Sequence, residues 1–178
     1  TMLEVERELK RFGDDVIIGA RSNLKRKDKN TSGELSRSLD YDLRVSKQSF
    51  SLEFGWEDYG KFIDEGVKGV GGTKADGTKW KLKRVFGSSF RYKNKRPPIS
   101  AFNGWTIRRG IAPRDSKGRF QKRKSLLFAI ANSVYHTGLE TTHFFTDPFI
   151  KEFKLLPDEI TEAYGLDIEN FLKLTLDD

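Results

Sequence analysis

The stretch LDYDLRVSKQSFSLEFGW, residues 39–56, alternates twice. Leu39, Tyr41, Leu43 and Val45 are separated by Asp40, Asp42 and Arg44. After SKQS, Phe50, Leu52, Phe54 and Trp56 are separated by Ser51, Glu53 and Gly55. Successive side chains of a strand point to opposite faces, so period 2 on both sides of a polar turn predicts an antiparallel hairpin with one buried face. That face needs a cover. Upstream, Val5, Leu9, Phe12, Val16, Ala20 and Leu24 recur every three or four residues, the stripe of an amphipathic helix. Gly13 is its weak point, and KRKDKN (25–30) is where it should fade. Between helix and hairpin, NTSGELSRSL (30–39) must stop one element and start the other. Ser and Thr can bond freed backbone groups there, Gly relaxes the φ restriction, and Leu35 and Leu39 go under the hairpin.

Downstream, EDYGKFIDEG (57–66) places Tyr59, Phe62 and Ile63 on one helical face, with Gly66 as the left-handed residue that ends the helix. Residues 67–95 are rich in Gly and Lys and predict a mobile loop, then a second, weaker hairpin near 80–93. RPPISAFNGWTIRRGI (96–111) predicts a helix with Pro98 in its first turn and a stop at Gly110. APRDSKGRFQKRK (112–124) reads as a polar connection. SLLFAIANSVYHTGL (125–139) reads as a helix with Leu127, Ile130, Ala131 and Val134 inward. FTDPFIKEFKLLP (145–157) predicts a helix capped by Thr146 or Asp147, with Pro148 in the first turn. An acidic helical segment, broken near Gly165, follows. The sum is an α+β domain: a small antiparallel sheet packed by an N-terminal helix and several C-terminal helices. One domain over 1–178, with a basic loop or arm inserted at about 67–96, is the expected organisation.

Fourteen Phe, five Tyr and three Trp can build a real core, and they weigh against disorder despite 33% charged residues. No cysteine is present, so there is no disulfide framework and no thiolate metal site; this fits a reducing compartment. The first ten residues lack the apolar core of a signal peptide, and no run of 18 apolar residues exists to span a membrane. The net charge of +7 hides a division. Residues 1–67 sum to −2, residues 68–124 to +16, and residues 125–178 to −7. A basic middle between acidic flanks suits a polyanion, or an acidic patch on a neighbouring copy. The bland alternative is a solvated Lys-rich loop.

Catalytic patterns are missing. His136 and His143 stand seven apart near a helix end, where imidazoles commonly bond helix carbonyls. H-E-x-x-H zinc spacing is absent, and GVGGTKADGTK (69–79) lacks the spacing of a phosphate-cradling loop. Asp64 and Glu65 beside Lys68 read as a polar helix end. The expectation is no enzyme, no cofactor and no metal.

In order and spacing the chain resembles the tail-completion or head–tail joining proteins of tailed phages, also described as neck or minor tail proteins. That family runs from a leading helix to a TG-x-L-x-x-S-[IL] turn, a strand pair, Y-x-x-[FY]-[IV]-[DE]-x-G, and a helix opening near PF. The matching residues are Gly33, Leu35, Ser38 and Leu39, then Tyr59, Phe62, Ile63, Glu65 and Gly66, then Pro148 and Phe149. TSG stands where the family has TG. Glu65 abuts Gly66, which shifts the acidic position unless Asp64 fills it. The resemblance implies a structural virion protein, made in the host cytoplasm and placed at the head–tail joint. It implies a homo-oligomeric ring of six or twelve copies around the path of packaged double-stranded DNA, bound to portal or connector and tail-tube proteins, with no membrane partner. The basic residues Lys79, Lys81, Lys83, Arg84, Arg91, Lys93, Lys95, Arg96, Arg108 and Arg109 are then candidates for DNA or inter-subunit contact. Asp158, Glu159 and Glu162 are candidates for the acidic side of that contact. In the alternative reading, the 68–124 region binds nucleic acid directly and without sequence preference, with Trp80, Phe90 and Tyr92 as stacking platforms among its cations.

Overall fold

The computed structural model of the chain describes residues 2–29, 32–46 and 49–163. The tip of the first hairpin, Thr31 of the opening turn and the expected break near Gly165 lie outside the described residues. The elements are α1 (Met2–Arg26), α2 (Glu34–Ser38), β1 (Asp40–Val45), β2 (Phe50–Gly55), α3 (Gly60–Glu65) and β3 (Val67–Lys68). A 3-10 turn (Ile99–Phe102), α4 (Asn103–Arg108), α5 (Arg123–Thr137), β4 (Gly138–Leu139), α6 (Thr146–Phe153) and α7 (Asp158–Ala163) follow. The fold is α+β, with two antiparallel sheets of two strands each, β1·β2 and β3·β4. By its internal contacts the chain divides into two units. The first joins residues 1–64 to 143–178; the second is residues 65–142.

The first unit realises the alternation of 39–56. Tyr41 pairs with Phe54, Leu43 with Leu52 and Val45 with Phe50. Asp40, Asp42, Ser51 and Glu53 are exposed, while Leu52 is buried and Phe50, Phe54 and Trp56 are partly covered. The cover comes from α1, whose Leu9, Phe12, Val16, Ala20 and Leu24 are all buried, and from α6. Phe12 meets Phe54 edge-on at 6.2 Å and Phe149 at 5.4 Å; Phe145 lies 5.1 Å from Phe54 and 4.4 Å from Trp56. Aromatic edge-to-face contacts of this kind add to burial of area. Gly13 does not break α1. A Cβ there would stand 2.8 Å from the Tyr41 ring, so the glycine admits that ring against the helix. The Tyr41 hydroxyl then donates to Asp14 (2.7 Å).

The opening turn is more regular than expected. Gly33 takes φ 73° and starts the five-residue helix α2, while Ser32 Oγ accepts the Glu34 N–H (3.3 Å). Leu35 and Leu39 are buried as anticipated.

The second unit departs most from expectation. No hairpin forms over 80–93. The second sheet instead pairs Val67 with Leu139 and Lys68 with Gly138, closing a ribbon at the entry and exit of the unit. The expected insertion at about 67–96 is part of a larger compact body. Its spine is α5, with Leu127 and Ala131 buried and Ile130 and Val134 partly so. The 3-10 turn packs against α5, and Ile111 N–H folds back to Thr106 O after Gly110. Among the described residues no helix is long and apolar enough to cross a membrane.

Candidate functional site

The two segments richest in expected contact residues are tied to the end of α5 by hydrogen bonds to their backbone groups. Val70 and Gly71 donate to the carbonyls of Tyr135 and His136, and Lys83 donates to that of Thr137. Arg84 O accepts the Thr141 N–H, and Lys93 O accepts the Tyr135 hydroxyl. Lys68 bonds on both sides of Arg91, through Phe90 O and Tyr92 N–H. Residues 67–95 are therefore anchored, not a loose arm. Sequence could not reveal this, because most of the partners lie between 42 and 65 residues away, and backbone groups leave no mark in residue type.

Close approach explains the glycines there. A Cβ on Gly69 would stand 2.3 Å from His136 O, and one on Gly138 would stand 2.4 Å from Val67 O. Gly138 also needs φ 86°, a conformation that side chains resist.

Lys79, Lys81, Lys83 and Arg84 are exposed along the strap from 79 to 84; Arg91, Lys93, Lys95 and Arg96 are exposed between 91 and 96. Both groups converge on the last turns of α5. Arg108 and Arg109 are exposed at the end of α4, whose Thr106 hydroxyl accepts from Arg123 (3.1 Å). Trp80 is not on a hairpin face. Its ring stacks on that of His136, 4.9 Å away with the two planes 2° apart, and Lys74 Nζ lies 5.0 Å from its centre. Tyr92 packs 6.0 Å from Tyr135, and burial pushes its phenol pKa up. Phe90 is half-buried beside it in sequence.

Two small turns share one design. In the first, Thr73 bridges Lys79, Gly77 takes φ 83°, and Asp76 Oδ1 accepts from Thr78 N–H and Oγ. Those two bonds hold the Asp76 carboxyl below its usual range, helped by the Lys74 charge. In the second, Arg114 bridges Phe120, Gly118 takes φ 74°, and Asp115 Oδ1 accepts from Lys117 and Arg119 N–H. Each carries a cation over an aromatic ring: Lys74 on Trp80, and Arg114 on Phe120 at 4.0 Å. Self-capping Asp and left-handed Gly make such tips rigid without a core. The connection 112–124 is therefore more structured than its polarity suggested.

The histidines do not bond their own helix. His136 Nδ1 lies 2.6 Å from Gly71 O, so that nitrogen carries a proton and donates. His143 sits beyond β4 at φ 47°; its N–H donates to Asp64 O, and its Nδ1 is buried with no hydrogen-bond partner among the described residues. Among the described residues no cluster of three or more His, Asp or Glu could hold a metal ion.

At the end of α3, Asp64 clamps the start of α6. Asp64 is fully buried and its Oδ1 accepts the N–H groups of Phe145 (2.8 Å) and Thr146 (3.1 Å), while Oδ2 accepts the Thr146 hydroxyl. It supplies from α3 the cap expected from Thr146 or Asp147; α6 instead has Phe145 at its N-cap, without a side-chain cap bond, and Thr146 and Asp147 lie inside its first turn. Donors that start a helix lack internal partners, and a carboxylate there gains from the helix dipole as well. Ser38 Oγ donates to Leu35 O and accepts the Glu57 N–H. Gly66 takes φ 80°. Phe149 is fully buried, and Pro148 is buried beside Gly19, whose Cβ would come within 2.8 Å of it. Tyr59 is 41% exposed and stands just before α3, which starts at Gly60, while Phe62 and Ile63 lie within it and are half-buried. Asp158, Glu159 and Glu162 are exposed on α7, which buries Ile160 in the core of the first unit.

Comparison with protein-family models, with curated proteins and with solved structures finds no match to this chain.

Proposed function

We propose that this chain is a structural protein of a phage head–tail joint. Its copies assemble as a ring around the DNA path and join portal or connector to tail. One observation carries the reading: the charge division coincides with the division of the fold. Residues 65–142 hold 18 Lys and Arg against 4 Asp and Glu, a net +14, while the remainder holds 15 against 22, a net −7. A body with one strongly basic and one acidic unit is suited to head-to-tail pairing, which closes a ring when the rotation closes. The clamp of Asp64 on α6 gives physical content to the motif order behind the resemblance. DNA threading such a ring would meet phosphate-directed cations without sequence readout.

The test is the mass of the purified protein, with and without its portal. The expected result is a monodisperse ring-sized particle at moderate salt. Reversal of Asp158, Glu159 and Glu162 to Lys weakens it, and added reversal of Lys81, Lys83 and Arg84 to Glu partly restores it. A monomer under every condition would overturn the ring.

A second reading has its own support. The ten expected contact cations are all exposed, and Phe120 at the second tip is 70% exposed. This suits a nucleic-acid-binding protein that uses 68–124 directly. A monomer that binds DNA with a steep dependence on salt would favour it.

A further inference from the structure

A cleft of about 560 Å³ opens on the basic unit, within the usual range for small-ligand sites. Its walls include Lys74, Asp76, Trp80, Arg96, Asn132 and His136. Arg96 and Lys74 enter it as cations held by rings. The Arg96 guanidinium carbon lies 5.6 Å from the centre of the Phe128 ring and 5.7 Å from that of Tyr135. A ring face attracts a guanidinium but accepts none of its in-plane N–H bonds, so the donor fork stays available. Lys74 is held over Trp80 in the same manner. Among the described residues neither cation makes an ion pair.

The floor is rigid. Trp80 stacks on His136, His136 donates from Nδ1 to Gly71 O, and Gly71 N–H donates back to His136 O at 2.9 Å. Asn132, one turn before His136 on α5, adds an uncharged amide. At the rim, Asp76 has one oxygen engaged by Thr78. Its negative charge weighs against a doubly charged anion more than a singly charged one.

We propose that this cleft is a phosphate subsite, in which Arg96 and Lys74 grip the oxygens of one phosphate group, with the singly charged diester of a nucleic-acid strand as its natural occupant. The subsite stands apart from ring formation and from residence in a virion. Neither the charge count of the chain nor its motif order locates it, since its parts come from 74–80, from 96 and from α5.

The experiment uses the full chain. Anisotropy of a labelled oligothymidylate gives affinity, and resonances of the Trp80 indole N–H and the Arg96 Nε–H report on the cleft. K74Q/R96Q should weaken binding about 10-fold or more, because a ring-held bidentate contact is lost. K117Q/K122Q removes the same charge from outside the cleft and should weaken it about 3-fold or less. R96K keeps the charge but loses the fork, and should lose most of what K74Q/R96Q loses. Protection of the Gly71 and Trp80 amides, unchanged in R96K, shows that the cleft is still formed. A thymidine dinucleotide with one phosphodiester, and inorganic phosphate, are titrated separately. Saturable shifts of Trp80 and Arg96 with the dinucleotide support the strand phosphate. Shifts with inorganic phosphate alone support the subsite with a free anion as its occupant. Equal losses in the two double variants, or binding that leaves both resonances unmoved, would overturn the subsite and leave diffuse charge attraction.

Discussion

The two units of this protein are held together by different means. Among the described residues, the unit built from 1–64 and 143–163 buries fifteen apolar side chains in one continuous cluster, from Leu9 on α1 to Ile160 on α7. The unit from 65 to 142 buries Val67, Leu127 and Ala131, and otherwise relies on backbone bonds to α5, glycines without room for a Cβ, and cations over rings. Apolar burial is not weakened by charge screening, whereas a body of net +14 repels itself in proportion to how little it is screened. The difference teaches where a binding surface can be placed. The acidic unit has the core to be a scaffold; the basic unit has the exposed charge, and its order is the more easily tuned by anions.

The comparison breaks most visibly at Phe149. It is fully buried among Phe12, Phe54, Phe145 and Phe153, so Phe149→Ala should cost about 3–5 kcal/mol in chemical denaturation. Amide exchange sharpens the result. Val70, Gly71 and Lys83 should keep their protection at denaturant levels where α1 has lost its own. Simultaneous loss would mean that the two units unfold as one body.

Asp64→Asn comes next. The side chain stays the same size but presents one oxygen and an amide to three donors. The expected loss is about 1.5–3 kcal/mol, the worth of hydrogen bonds to a charged group, with α6 the first segment to exchange. A loss no larger than that of Glu65→Gln would mean that the Asp64 bonds do not hold α6.

Gly138→Ala strikes the second unit. It forces a Cβ to φ 86° and against Val67 O, at a cost of about 1–3 kcal/mol for the strained residue. The loss should appear in the Val70, Gly71 and Lys83 amides while α1 and α6 remain protected. Uniform loss across both units would count against their separate support.

Tyr41 carries the smallest effect and tests the hairpin. Burial, then the hydrogen bond to Asp14, pushes its phenol well above 10. The folded state therefore keeps the proton that the unfolded chain releases from about pH 10 upward. The stability this group contributes is fully present below pH 10 and is lost as pH rises through the alkaline range. Tyr41→Phe should cost about 1 kcal/mol or less at neutral pH and flatten that alkaline decline. An unchanged decline would place its cause in another group.

Much of the fold is legible in the letters. In the first unit the alternation of 39–56 and the stripe of α1, and in the second Gly66 as a helix end and the inward residues of α5, all appear in the structure, because burial on one face writes a period into residue type. Gly13 was misread in kind: helix propensity made it a weak point, and tertiary packing made it the seat of the Tyr41 ring. The weaker hairpin expected near 80–93 does not form: Trp80 stacks on His136 and Leu82 is exposed. A short pattern in a charged segment cannot distinguish a strand partner from a partner ring 56 residues away.

By itself the sequence determined the α+β class, the hairpin register, the apolar core of the acidic unit and the segregation of charge. These depend on the order of polar and apolar residues along one element, and on counting. Tertiary structure alone decided that Asp64 caps α6, that β3 and β4 close the basic unit, and that Lys74, Trp80, Arg96 and His136 surround one cleft. Each of those depends on groups far apart in the chain, and on backbone donors and acceptors that every residue carries alike. No spacing in the sequence records them.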